Sequence, residues 1–475
     1  MSTPSCKISA SVLPQRIAGA VLVLIPFALI AFDATGVFPN PNASAILLLV
    51  VLAIIAFAVH KTAGGMASLI GLFYLGTILW VAPRPLLALV SQNDSAYTLL
   101  FGQLASPRGP DLSRLLAFWI TGVSSLFGAY FLFFGGTRPS LPPLSEHVKG
   151  FCKRSFIVAF MIVAVSLPLL AHKRFVAFAT GGYLALYLNQ ADSSFSLLPL
   201  LDYLTPTLYA LAVVIGEKRY SRLMIVAVVC YTFCGLLFGR RMEAGTWLLV
   251  LLWHFTTIRG KPIRLSRLLV GLTLVGCAFQ LVEILRTGTD NVDFILMEFF
   301  TSQGVIFMIP ALSWLLPPPP IHTIVGSLLS VRHFYRLLGI GSIGTANMLD
   351  YISSQSSFTL FESGNGLSTT IYLDIFYICG QLMFLYAILC GLLGWLLCKW
   401  ELASSRSRVA LFFLCACLPS LFFVQRSSLF TVTSLIVYIS LFMAANYILS
   451  LFFSLIQINE VQTGRIQAGN RGGSF

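Results

Sequence analysis

Twelve separate apolar runs, almost all of them long enough to cross the ~30 Å hydrocarbon layer of a bilayer, leave this chain a single class of fold. They lie at 17–34, 43–60, 64–83, 115–136, 155–171, 193–215, 222–238, 243–258, 267–284, 371–398, 408–424 and 428–455, the run at 243–258 being short. A backbone inside lipid has to satisfy its own hydrogen bonds, so runs of this kind become helices. With 57% apolar and 10% charged residues and a mean hydropathy of +0.88, a soluble globular protein is excluded. The expected fold is an all-α polytopic membrane protein with about 12 transmembrane helices. Helices 1–9 fall in 1–284, a long extramembrane segment in 285–370, helices 10–12 in 371–455, and a tail in 456–475.

Charge sets the orientation. Lys7 and Arg16 precede the first run and no small-residue cleavage pattern follows Phe32, which reads as an uncleaved first helix. Placing both termini in the cytoplasm puts most of the 30 Lys and Arg on that side, including the clusters Glu217-Lys-Arg-Tyr-Ser-Arg222 and Arg259-Gly-Lys-Pro-Ile-Arg264. The loops concerned are short, the regime in which basic residues stay inside. The net charge of +13 then reflects topology and attraction to anionic lipid head groups, with no need for nucleic acid. The 10 Cys lie in or beside the runs or on the cytoplasmic side, so no disulfide framework of an outer domain is visible. Cys415 and Cys417 lack the spacing of zinc ligands.

Nine crossings place the long segment 285–370 outside. Within it Val305 to Leu316 is apolar but too short to span, and Pro317 to Pro320 end any helix, as in a re-entrant or interfacial element. Val331 to Leu338 sets Arg332, His333 and Arg336 among apolar residues, the pattern of a helix lying on the membrane. Gly339, Gly341 and Gly344 follow, then Ser363-Gly-Asn-Gly366, where backbone N–H groups can approach an anion. No Walker-type Lys-Ser/Thr ending exists in the chain, so energy has to come from an activated substrate or a gradient rather than ATP.

Four arginines on the outer face carry the functional argument. Arg240, Arg241, Arg286 and Arg426 each stand at the end of an apolar run, where a permanent charge is costly without a role or a partner. Taken singly each reads as a snorkelling helix end; together they suit an anionic ligand, because guanidinium matches phosphate oxygens bidentately. No two outer acids are adjacent, and the first outer loop, Ala34 to Asn42, has only Asp33 beside it. That disfavours the metal-dependent membrane glycosyltransferases that present paired acids there, and no metal or cofactor is expected. Glu243 is either a charge partner of Arg240 and Arg241 or part of their site, and Glu283 stands three residues from Arg286, an ion-pair spacing. Sugar transfer to a hydroxyl needs a proton acceptor, for which Glu362 and Asp374 are the candidates.

The residues that carry a resemblance are Leu237-Phe-Gly-Arg-Arg-Met-Glu243, Arg286, Thr301-Ser-Gln-Gly304, and Ser363-Gly-Asn-Gly-Leu-Ser368 ahead of Tyr372-Leu-Asp-Ile-Phe-Tyr377 and Gly380. Over about 235–430 this pattern resembles the bacterial oligosaccharide repeat-unit polymerases, the O-antigen or Wzy-type family. The chain departs from the commonest form at Asp374, where a Glu nearer the helix start is often expected, and at Tyr377-Ile-Cys-Gly380, where Phe-Gly is usual. The resemblance implies a GT-C-like polymerase/ligase fold with one large periplasmic loop between helices 9 and 10, in a bacterial inner membrane. It implies a metal-independent inverting glycosyltransferase that moves a growing glycan from undecaprenyl pyrophosphate onto a lipid-linked repeat unit. Arg240, Arg241, Arg286 and Arg426 then hold pyrophosphate. Glu243, Ser302, Gln303, Arg332, His333, Arg336, Gly364, Asn365, Gly366, Ser368 and Tyr372 are the substrate-binding candidates. A chain-length regulator and a flippase are the implied partners. An O-antigen ligase, or a flippase or transporter of the same lipid, is the alternative.

Overall fold

Every apolar run that falls on described residues is helical, the outcome lipid imposes on a backbone. The computed structural model describes residues 12–34, 40–62, 65–91, 94–101, 103–134, 143–188, 197–237, 241–260, 304–329, 347–359 and 367–471; the run at 267–284 lies outside them. In chain order the helices are α1 (Leu13–Ala34), α2 (Pro41–His60), α3 (Leu69–Val81), α4 (Pro83–Ser91), α5 (Pro110–Phe133), α6 (Glu146–Leu188), α7 (Leu197–Ile215), α8 (Lys218–Leu237) and α9 (Arg241–Trp253). They continue as α10 (Val305–Ser313), α11 (Ile321–Leu328), α12 (Met348–Ser356), α13 (Ile371–Ile378), α14 (Met383–Ser404), α15 (Arg408–Phe423) and α16 (Phe430–Arg471). A small antiparallel hairpin, β1 (Leu99–Phe101) and β2 (Gln103–Ala105), precedes α5.

Among the described residues 7 helices are long and apolar enough to cross a membrane, or 8 if α3 and α4, bent by 45° at their junction, count as one broken span. Two shorter apolar stretches, Leu200–Ile215 and Ala244–Ile258, belong to α7 and to α9 with the turn that follows it. The chain is therefore an all-helical multi-pass membrane protein. Local sequence sets the helix starts: Ser68 Oγ accepts the Gly71 N–H at the head of α3, and Ser407 Oγ accepts that of Ala410 at the head of α15. One expected span is divided. The run 371–398 forms two helices, because Gly380 (φ 60) and Gln381 (φ 64) both turn into the left-handed region, which no helix can continue through. α13 is consequently an eight-residue helix ahead of the spanning α14, too short to cross. Asp374 sits in it, not one turn inside a membrane span.

α5 is the axis of the bundle. Its apolar window is 89% buried, against 33% for those of α1 and α14, which flank it. Glycine makes both seams close: a Cβ on Gly394 of α14 would lie 1.9 Å from the Leu126 carbonyl oxygen, and one on Gly19 of α1 would lie 2.7 Å from the Leu132 amide nitrogen. Small residues at such crossings let backbones pack where no hydrophobic driving force separates helix from lipid. Toward one end of α5 an aromatic layer forms. Phe118 stacks on Tyr386 at 5.0 Å and meets Phe376 edge-on at 5.3 Å, while Trp119 Nε1 donates to the Phe307 carbonyl at 2.9 Å. That last bond inserts α10 against α5, so that Ile306 to Ser313 are all buried.

The two ends of the bundle differ in chemistry. At one, Lys149 and Lys153 pair with Glu217 at 3.2 and 2.7 Å, Arg259 donates to Ser221, and Arg408 donates to the Val214 carbonyl. The other end carries α4, the hairpin and α10 to α13. Gly394→Ala is expected to force α5 and α14 apart and cost about 2 kcal/mol through overpacking. Gly391→Ala, whose Cβ would find its nearest neighbours at 3.8 Å, is expected to be neutral. Thermal unfolding of the two variants in detergent checks the contrast.

Candidate functional site

Arg426 is placed by the way α15 stops. The helix tightens into a 3-10 turn, Val424–Arg426, and Gln425 anchors that turn by donating from Nε2 to the Phe73 carbonyl of α3. Arg426 then lies half-buried with its guanidinium carbon 5.2 Å from the centroid of the Trp80 ring, and its Nε donates to Ser368 Oγ at 3.2 Å. A guanidinium on an aromatic face is partly stripped of water and keeps its charge, the state in which it best receives an anion.

Ser368 owes its position to a scaffold of short hydroxyls. Ser353 Oγ accepts the Leu367 N–H at 2.9 Å, which pins the strand-like stretch Leu367–Thr370 against α12. Ser327 Oγ of α11 accepts the Met348 N–H at 2.7 Å, so α11 and the start of α12 are fixed together. Asn347 caps α12, accepting from Asp350 N at 3.0 Å and donating to the Asp350 carboxylate at 3.0 Å. Asp350 is thus half of a reciprocal cap.

Asp374 lies beside this scaffold and is 1% exposed. Ser428, two residues past Arg426, contacts its Oδ2 through Oγ, and the Leu429 N–H points at the same oxygen from 3.4 Å. Ser428 Oγ also lies 3.0 Å from the Ser327 carbonyl. A hydroxyl carries a single proton, so when Ser428 gives it to that carbonyl, the contact with Asp374 is satisfied by a proton on the carboxyl. Burial acts in the same direction. It pushes the Asp374 carboxyl from 3.8 up to about 7, against the smaller opposing pull of the Ser428, Leu429 and Thr369 hydrogen bonds.

Among the residues expected from sequence, Arg426, Ser368 and Asp374 are thus brought into one layer. Tyr372 is placed differently: it is fully buried, its ring 5.5 Å from that of Trp119, in the core between α5 and α13. Arg241 and Glu243 fall in the first turn of α9, whose opposite terminus is near Ser221 through Arg259; their side chains are outside the description. Arg240, Arg286, Ser302, Gln303, Arg332, His333, Arg336, Glu362, Gly364, Asn365 and Gly366 lie outside the described residues. Trp80, Ser327, Gln425 and Ser428 join the layer without having been expected. The available signals were weak: a Trp just before the Pro83 break, and hydroxyls directly after Arg426.

A family model described as O-antigen polysaccharide polymerase Wzy matches residues 17–455. Neither curated proteins nor solved structures give a match.

A carboxyl whose folded pKa stands above its unfolded value favours the fold most below the unfolded value, and that contribution is lost as pH rises through the folded one. Wild-type thermal stability is accordingly expected to fall between about pH 4 and about pH 7 by more than that of Asp374→Asn, which keeps a neutral donor facing Ser428. Equal pH profiles for the two proteins in detergent would show that Asp374 is ionised throughout.

Proposed function

The chain belongs to the O-antigen polysaccharide polymerase Wzy family, and on that premise we propose that it extends a glycan by transferring the growing chain from undecaprenyl pyrophosphate to a lipid-linked repeat unit. The transfer takes place at the periplasmic face, with both termini in the cytoplasm. The acceptor's hydroxyl oxygen bonds to the anomeric carbon of the donor sugar, and the bond from that carbon to the pyrophosphate oxygen breaks. The electron pair leaves with undecaprenyl pyrophosphate, and the hydroxyl proton passes to a carboxylate.

The observation that carries this reading is Arg426, a permanent cation held half-buried on an aromatic face at the end of the bundle away from the Lys149–Glu217 cluster. A departing pyrophosphate gains negative charge as the bond breaks, and preorganised cations aimed at that charge lower the barrier more than they favour the ground state. Arg240, Arg241 and Arg286 complete the site in this reading. The displacement is direct, with inversion and without a metal. Glu362 is the proton acceptor, whereas Asp374, 1% exposed, orders the Ser428–Ser327 contact behind Arg426. Polyprenyl tails lie in apolar grooves between the helices.

The test is ladder electrophoresis of surface polysaccharide from a deletion strain complemented at matched membrane levels. Deletion is expected to leave a single repeat unit on the lipid core, and wild type to restore the ladder. Arg241→Ala and Arg286→Ala are expected to reach the membrane and give no long chains, and Arg426→Ala to lose about a hundredfold in polymerisation rate. Loss of even the single unit on deletion would replace polymerisation with ligation or lipid flipping.

A further inference from the structure

We infer that Trp80 is a positioning residue for Arg426, presenting the guanidinium to a pyrophosphate oxygen through a cation–π contact; this rests on the reading of Arg426 given above. Three residues of α3 spaced for one helix face, Phe73, Gly76 and Trp80, meet the end of α15. Phe73 offers its carbonyl to Gln425, and a Cβ built on Gly76 would have its nearest neighbours in the Gln425 side chain and the Phe422 carbonyl, all at 3.5 Å. Trp80, 3% exposed, supplies the aromatic face 5.2 Å from the Arg426 guanidinium carbon. α3 thus fixes the backbone of the Val424–Arg426 turn with one residue and the side chain of its last member with another.

The division of labour has a chemical reason. A guanidinium donates in its own plane, so a ring that holds it by a cation–π contact restrains the group without using an N–H. Ser368 takes the Nε–H at 3.2 Å, so ring and hydroxyl restrain the group from two directions. A long side chain gives up rotamer freedom when it binds a ligand, and one already restrained gives up less. Trp80 also stands at Val81–Pro83, where α3 gives way to α4 at 45°. The ring is therefore attached to the last turn of a helix whose other side is locked in the core, where Tyr74 donates to the Leu52 carbonyl at 2.7 Å.

The experiment measures polymerisation by purified protein in liposomes against the concentration of lipid-linked repeat unit, for wild type, Trp80→Phe, Trp80→Leu, Arg426→Ala and the double variant Trp80→Leu/Arg426→Ala. Trp80→Phe keeps a ring face and is expected to retain wild-type kcat/KM within about threefold, while Trp80→Leu loses about tenfold. The double variant is expected to be no worse than Arg426→Ala alone, because Trp80 acts only through that arginine. A purely structural Trp80 predicts the opposite: losses that add, accompanied by lower thermal stability in the Arg426→Ala background. Additive losses, or full activity of Trp80→Leu, overturn the inference. Should Trp80→Leu not accumulate in the membrane, Trp80→Met takes its place and is read by the same criteria. Full activity of Arg426→Ala would instead remove Arg426 from the site and sink the reading on which the inference rests.

Discussion

The contact between the Leu126 carbonyl and Gly394 sets the spacing of α5 and α14, on which the Arg426 end of the molecule is built. At that crossing the backbones of α5 and α14 approach so closely that there is no room for a β-carbon. The same approach stacks Phe118 on Tyr386 and lets the Tyr386 hydroxyl reach the Phe118 carbonyl. The head of α14 is fixed by it, and with the head of α14 goes the turn that α13 must make before it. Asp374 and the Leu367–Thr370 stretch then have their places. In water such a seam would be held by burial of apolar area; between lipid tails it depends on van der Waals fit, which is why a single methyl group matters.

Among the described residues, short hydroxyls tie together much of the layer around Arg426. Ser327, Ser353, Ser368 and Ser428 each connect parts of the chain far apart in sequence, with Ser428 reaching a carbonyl 101 residues away. Short side chains of this type lose little rotamer entropy when fixed and carry no net charge to desolvate. Arg426 reaches this scaffold through the bond from its Nε to Ser368 Oγ.

What could be read from the residues, and what could not, divides along the range of the interactions. Helix positions follow from hydropathy, a property of windows of some twenty residues, and every apolar run on described residues is helical. Arg426 and Ser368 stood out because a charge at a helix end and a polar stretch before an aromatic helix are local patterns. The break inside 371–398 was invisible because Gly380 is common in membrane helices and Gln381 has no preference for a left-handed backbone; only the packed structure requires it. Trp80 was equally hidden, since nothing near residue 80 indicates that Arg426, so distant in the chain, will lie across its ring. Tyr372 belongs to a motif yet packs in the core, because the helix that carries it presents one face to α5 and another to Ser428.

The interruption at Gly380 and Gln381 also has a mechanical side. A helix that spans a bilayer tilts when the membrane thickens or thins, and a continuous rod would carry that tilt, amplified by its length, into whatever stands on its tip. α14 ends instead at two left-handed residues, beyond which the chain leaves the helix axis, and α13 is tied both through Asp374 to the start of α16 and through Phe376 to Tyr386 of α14. The layer that holds Arg426 therefore stands beside the head of α14, where α5 pins it, and off the axis along which a spanning helix transmits its tilt.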